Sequence, residues 1–347
     1  MTRGWTPAPP MPKKRSRPWL WCIPCLMLLL VVCLPRPAQP DAHVYPLHAP
    51  APTAPPEPVS ALPANIRASL PQGDTQHISV PVQHLEKGRM LLINETHPLP
   101  EGYTPGDTLS VLNYTQGRVD CRDISAVSGQ DTLDALREMF FAARQNNIVQ
   151  FTVFAGTRSA EQQRILLTDT LADLSRDMSL EAALHAAREA VASVDCTEHQ
   201  TPWAIDLRLC PVWNGAPLAT PYDATQAGQW LIRHCWEFGF IRRWRDATPQ
   251  DHSCRAFHLR YVGKAHAMLM HALDVTFEEY LALLHDHGAL TLYNENGAPL
   301  ATAVCQSAGE HLTSFTLPVL GDIEDLSLDN TGYAIAAVLF TGSAANR

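Results

Sequence analysis

Apolar positions along this chain switch between two periodicities, and the switches mark its elements. Leu133, Leu136, Phe140 and Ala143 recur at three-to-four spacing and predict a helix over about 131–146 with one buried face. Residues 148–154, rich in β-branched and aromatic side chains, read as a strand that Gly156 breaks. Ser159 and Gln162 form a capping box that opens a helix over about 160–176, with a second expected over 180–193. Leu231, His234, Cys235 and Phe238 share one face of a helix over 225–238, which Gly239 terminates. Two more helices are expected over 264–273 and 276–287, the latter opened by Thr276 with Glu279 and closed by Gly288. Upstream, the apolar run 90–94 reads as strand. Between the helices the pattern has period two. Ala204, Asp206 and Arg208 share a face opposite Ile205, Leu207 and Leu209, and His258 and Arg260 lie opposite Phe257, Leu259 and Tyr261. After 290 short alternating runs and turns at 294–297 and 329–332 predict a small β subdomain reaching about 343.

The first 63 residues follow neither pattern. Before Pro18 the charged residues are all basic, and Trp19 to Leu34 is an unbroken apolar run apart from Pro24. That order is the signature of an export signal, either cleaved or kept as an anchor, with the rest of the chain outside the cytoplasm. Ten prolines between residues 35 and 63 then make a stiff spacer that cannot form a packed core.

Charge and cysteine content narrow the classes. A net charge of −9 over 347 residues argues against a polyanion-binding role, so nucleic acid is not an expected partner. Three of nine cysteines lie in the apolar run. The other six (Cys121, Cys196, Cys210, Cys235, Cys254, Cys305) contain no CxxC pair, which disfavours a cysteine zinc site, and sequence does not choose among their possible disulfides.

The chemistry concentrates in two short segments, 197–206 and 257–263. They carry two imidazoles, His199 and His258, and the carboxylate of Asp206, the ligand set of a catalytic zinc with one position open. Taken singly, each has a plainer reading as a core or surface residue.

Six ordered segments strengthen the set. Leu91-Leu92-Ile93-Asn94 with Pro98-Leu99-Pro100 and Tyr103-Thr104-Pro105 comes first, then Phe154-Ala155-Gly156-Thr157-Arg158-Ser159 with Glu161-Gln162-Gln163. Glu198-His199-Gln200-Thr201 with Ala204 and Asp206 follows, then Trp230-Leu231 with Phe238-Gly239-Phe240-Ile241. His258-Leu259-Arg260-Tyr261-Val262-Gly263 and Thr276-Phe277-Glu278-Glu279-Tyr280-Leu281 complete them. From Leu91 to about Leu284 the chain resembles the VanY-type D-alanyl-D-alanine carboxypeptidases, zinc peptidases that trim peptidoglycan stem peptides.

The resemblance implies an α+β fold, an antiparallel sheet flanked by helices, with the small C-terminal β subdomain beside it. It implies His199, Asp206 and His258 as zinc ligands. It also implies Arg158 as the arginine that holds substrate and transition state, and Thr197 as a substrate-contacting position where the family has serine. The implied partner is a peptidoglycan peptide ending in D-Ala-D-Ala, met by an extracytoplasmic domain tethered to a membrane through the N-terminal segment. The expected division is 1–34 cytoplasmic tail and signal or anchor, 35–73 linker, 74–289 carboxypeptidase-like domain and 290–347 β appendage.

One departure bears on activity. Where the family has Glu-Pro-Trp-His this chain has Arg255-Ala256-Phe257-His258, so the general base is absent and a cation stands in its place. Losing a positioned base costs about 10²–10⁴ in rate. Asp251 or Glu198 could substitute. The expectations are therefore a zinc D,D-carboxypeptidase, a pseudoenzyme that keeps zinc and peptide binding, or a metal-free structural domain.

Overall fold

The period-two segments pair into antiparallel sheets, and the period-3.6 segments cover them. In the computed structural model the described residues are 61–210, 224–244 and 258–341. They lie in one unit, Tyr45–Arg347. Their strands are β1 (Ile66–Arg67), β2 (Thr75–Pro81), β3 (Leu109–Ser110), β4 (Val127–Ser128), β5 (Phe151–Ala155), β6 (Ala204–Leu209) and β7 (Phe240–Arg242). These are followed by β8 (His258–Tyr261), β9 (Ala289–Tyr293), β10 (Pro299–Ser307), β11 (Leu312–Pro318), β12 (Asp322–Leu328) and β13 (Tyr333–Leu339).

One sheet has the order β5-β6-β8-β7. Ile205, Leu207, Leu209, Phe151, Val153 and Leu259 form its inner face and pack against helices Gln130–Gln145 and Gln226–His234. The alternation that buries these residues sends Asp206 and His258 to the opposite face, where they are Cα partners across the β6–β8 ladder. The register is strongly specified, because a one-residue slip would put the carboxylate into the apolar core.

A second sheet has the order β1-β9-β10-β13-β12. Helices Lys264–Leu273 and Phe277–His287 cover it, with Met90, Ile241 and Val262 in the same core. The β2–β11 pair contributes Phe315 and Leu317 to a core with Ala334, Ala336 and Val338 of β13. Both capping boxes form, at Ser159 and Thr276, and Gly239 and Gly288 adopt the left-handed conformation at their helix ends. The fold is α+β, with antiparallel sheets flanked by helices.

Four expectations need correction. The spacer does not run to 73, because Ile66 is buried and pairs with Leu292. Residues 290–341 are not an appendage, because Leu290, Leu292, Ala301 and Ile335 share a core with helices Lys264–Leu273 and Phe277–His287. The strand expected from 148 starts at Phe151. Residues 90–93 are buried but join no ladder, and the Arg260 guanidinium takes the Leu91 carbonyl instead. The N-terminal apolar run lies outside the described residues, among which no helix is long and apolar enough to cross a membrane. The five described cysteines, Cys121, Cys196, Cys210, Cys235 and Cys305, are free thiols, and Cys254 lies outside the described residues.

Candidate metal centre

Three elements bring the predicted ligands together. β6 carries Asp206, β8 carries His258, and a single 3-10 turn, Glu198–Gln200, carries His199. Thr197 caps that turn, its side-chain oxygen accepting from the His199 amide at 3.3 Å. The hydroxyl expected to face substrate thus has a local task. The turn is held against the strand end by two bonds: Arg158 N–H donates to the His199 carbonyl at 2.7 Å, and His199 Nδ1 donates to the Gly156 carbonyl at 2.7 Å. Gly156 has to be glycine, since a Cβ there would lie 2.3 Å from the Val127 carbonyl oxygen.

His199 Nε2 lies 3.1 Å and His258 Nδ1 3.0 Å from Asp206 Oδ1. The three ligand atoms lie within 4.8 Å of one another, and all three residues are buried. The other nitrogen of each ring is occupied, because His258 Nε2 donates to Glu198 Oε2 at 3.0 Å. His199 therefore turns a lone pair, not a hydrogen, towards the carboxylate. Two acceptors facing one another in a buried site call for a cation between them. The residues present fit zinc: three donors of the right kind, with second partners that fix the ring tautomers.

Glu198 is spoken for on both oxygens. Oε1 accepts from Arg243 Nε and Arg260 Nη1, each at 2.6 Å. Arg243 reaches on to Glu278 with two further bonds of 2.8 and 2.6 Å. Both guanidinium groups lie over the Phe277 ring, at 5.2 Å for Arg243 and 4.6 Å for Arg260. Burial alone would raise the Glu198 pKa, but Arg260 and Arg243 hold it well below the carboxylate range. Asp206 is likewise lowered against its burial, by the two histidines. Burial would lower His258, yet its hydrogen bonds to Asp206 and Glu198 keep it above the ordinary 6.5. His199 is lowered, by burial first and then by the Arg158 charge. An ionised, fully bonded Glu198 orients His258 and is not placed to act as a base.

Arg158 stands beside the triad. Its Nε donates to Gln163 Oε1 at 2.9 Å, and Gln163 donates in turn to the carbonyls of Val191 and Ala192 at the end of helix Leu180–Val191. Arg255 and Asp251 lie outside the described residues. Sequence reasoning left Arg243, Arg260 and Glu278 without a role. No local signal marks them, because Arg243 meets its partners 45 and 35 residues away.

The family model for VanY, D-alanyl-D-alanine carboxypeptidase, matches residues 127–264. Putative carboxypeptidase YodJ of Bacillus subtilis (strain 168) is 30% identical over 197 residues, 55% of this chain and 66% of that protein. A D-alanyl-D-alanine carboxypeptidase of Enterococcus faecium is 22% identical over 227 residues, 63% of this chain and 66% of that protein. The chain thus spans just under two thirds of the length of each. Among solved structures, the vancomycin resistance D,D-dipeptidase VanXYg, in complex with a D-Ala-D-Ala phosphinate analogue, superposes with a TM-score of 0.57. It is 21% identical, over 77% of this chain and 100% of that one. That likeness concerns the fold. The sheet that carries Asp206 and His258, the turn that carries His199 and helices Gln130–Gln145 and Gln226–His234 therefore lie within the segment that matches the VanY, D-alanyl-D-alanine carboxypeptidase, family model.

Proposed function

We propose that the protein is a zinc-dependent carboxypeptidase-type protein whose substrate is a peptidoglycan stem peptide ending in D-Ala-D-Ala. The observation that carries this reading is the meeting of two imidazole nitrogens at Asp206 Oδ1, with the outer nitrogen of each ring already engaged. His199, Asp206 and His258 would hold the metal. A bound zinc supplies a Lewis acid that polarises a peptide carbonyl and acidifies water. The protein's own contributions are separate. Glu198 and Gly156 hold the two rings in their tautomers, and Arg158, oriented by Gln163, offers a guanidinium to a substrate carboxylate or a developing oxyanion. The reaction class is hydrolysis of the terminal D-Ala.

A second reading has its own observation. Both carboxylates described at the site, Asp206 and Glu198, are engaged, and Arg255 occupies the sequence position of the family's base. This supports a pseudoenzyme that binds zinc and peptide without hydrolysing it. The two separate in one assay on the full chain: bound zinc, and D-Ala release from a Lys-D-Ala-D-Ala peptide, beside an Arg255→Glu variant. Release by the native protein above its metal-free background supports the enzyme. Zinc without release, together with release by the variant, supports the pseudoenzyme. No zinc uptake at micromolar supply overturns both.

The address follows from the substrate. Stem peptides lie outside the cytoplasm, and the basic start, the apolar run Trp19 to Leu34 and the prolines after it suit an exported, tethered domain. Recovery of the protein in the cytosolic fraction of its own cells would remove this part of the proposal.

A further inference from the structure

The buried charges around the metal centre continue beyond it. Arg260 is fully buried, and its Nη1 holds Glu198. Its Nη2 donates to two backbone carbonyls, those of Arg89 and Leu91, each at 2.7 Å. The segment that offers them forms no ladder, so something else must fix it.

That support comes from β12 and the turn after it. The Arg89 amide donates to Ser327 Oγ at 2.9 Å, and Ser327 Oγ donates to Asp325 Oδ2 at 2.5 Å. Arg89 Nη1 donates to the Glu324 carbonyl at 3.1 Å, and Arg89 Nε lies 4.0 Å from Asp325 Oδ1. Further along, Leu92 N–H donates to the Asp329 carbonyl at 3.0 Å, and Asn330 Nδ2 donates to the Leu92 carbonyl at 3.4 Å. The two segments are packed without slack, since a Cβ on Gly88 would lie 2.1 Å from Ser327 Oγ. A continuous path of bonds therefore runs from Asp325 and Ser327 through the backbone of 89–91 to Arg260, Glu198 and His258. Both of its outer parts lie outside the family segment 127–264.

We propose that the C-terminal sheet tunes the metal centre, with Ser327 and Asp325 as positioning residues that set the zinc affinity of His199, Asp206 and His258. The inference rests on the zinc reading above. Arg260 can hold Glu198 in line with His258 only while the carbonyls of Arg89 and Leu91 stay in place, and those carbonyls are placed by β12. Outer partners of metal ligands are worth about 10–100-fold in affinity, and Ser327 and Asp325 act on the outer partner Glu198 only through the 89–91 backbone and Arg260, so their effect belongs at the lower end.

The test is zinc affinity of the full chain, measured by chelator competition well below the unfolding temperature. Ser327→Ala, Asp325→Asn and Val338→Ala are compared with the native protein. Val338 is buried in the same sheet on the core shared with β2 and β11, a different core from that of Met90 and Leu92, so its truncation controls for simple loss of stability. Ser327→Ala removes one hydroxyl and serves if Asp325→Asn does not fold. The expected result is a roughly tenfold weaker zinc affinity in Ser327→Ala and Asp325→Asn, with a changed visible spectrum of the cobalt-loaded protein. Val338→Ala should lower the melting temperature and leave affinity and spectrum unchanged. Native affinity in Ser327→Ala, or an equal loss in Val338→Ala, overturns the coupling and leaves the zinc reading intact. Failure of the native protein to take up zinc overturns the zinc reading and the coupling together.

Discussion

Asp206 Oδ1 is shared between two rings, and the metal-free site can satisfy only one of them with a proton. His258 is the ring that keeps it, because Asp206 and Glu198 flank it while His199 is depressed by burial and by Arg158. The sign of the pH dependence follows. A raised His258 adds stability to the metal-free protein below about 6.5, and that stability is lost as pH rises through the folded value. Zinc must displace the same proton, so its affinity climbs as pH rises through and above the ordinary imidazole range. The zinc-induced rise in melting temperature should therefore grow between about pH 5 and pH 8, and a flat profile would rule out His258 as a ligand. Glu198→Gln tests the second partner. It weakens the His258 bond and leaves two buried guanidinium groups undercompensated, which costs about 3–5 kcal/mol when one member of a buried ion pair is removed. Zinc affinity should fall about 10–100-fold alongside, measured by competition titration beside a thermal melt. The ligand types and their spacing were readable in sequence. The fate of Glu198 was not, because its partners Arg243 and Arg260 are 45 and 62 residues away.

Elements matter here through their ends. β5 stops where Gly156 lets its backbone approach Val127, and the Gly156 carbonyl then orients His199. Gly156→Ala forces these segments apart and should destabilise the fold by about 1–3 kcal/mol, the usual cost of overpacking. Zinc binding should weaken as well. Thr276→Ala removes a capping box from helix Phe277–His287 and costs about 1 kcal/mol. Since Phe277 and Glu278 stand in that first turn, under both arginines and bonded to Arg243, fraying there should also lower zinc affinity by a small factor. A melt and a titration on each variant check both. The helix caps were legible because their chemistry is local. The 90–94 run was misread as strand because an apolar stretch says that a segment is buried, and nothing in it says where the backbone hydrogen bonds go. Leu92 N–H goes to Asp329, and the Leu91 carbonyl goes to Arg260.

Across the whole molecule, the C-terminal sheet belongs to the folding unit. Leu290, Leu292, Ala301 and Ile335 pack with Phe277, Tyr280 and Leu284 in one core. Removing residues 290–347 should abolish cooperative unfolding, followed by circular dichroism, and Leu292→Ala should cost about 2–5 kcal/mol. A shortened protein that melts cooperatively and still binds zinc would restore the view of an appendage. Sequence alone determined the alternation that aims Asp206 and His258 away from the core, the helix caps, the candidate ligand set and the family resemblance. Each rests on spacing within a few residues or on motifs short enough to recognise. Tertiary structure decided what surrounds them: which ring nitrogen faces Asp206, that Glu198 is consumed by two arginines, and that β12 reaches the site through the carbonyls of residues 89 and 91. Those contacts join residues separated by up to 238 positions, and only packing and buried charge, which no local pattern encodes, select them.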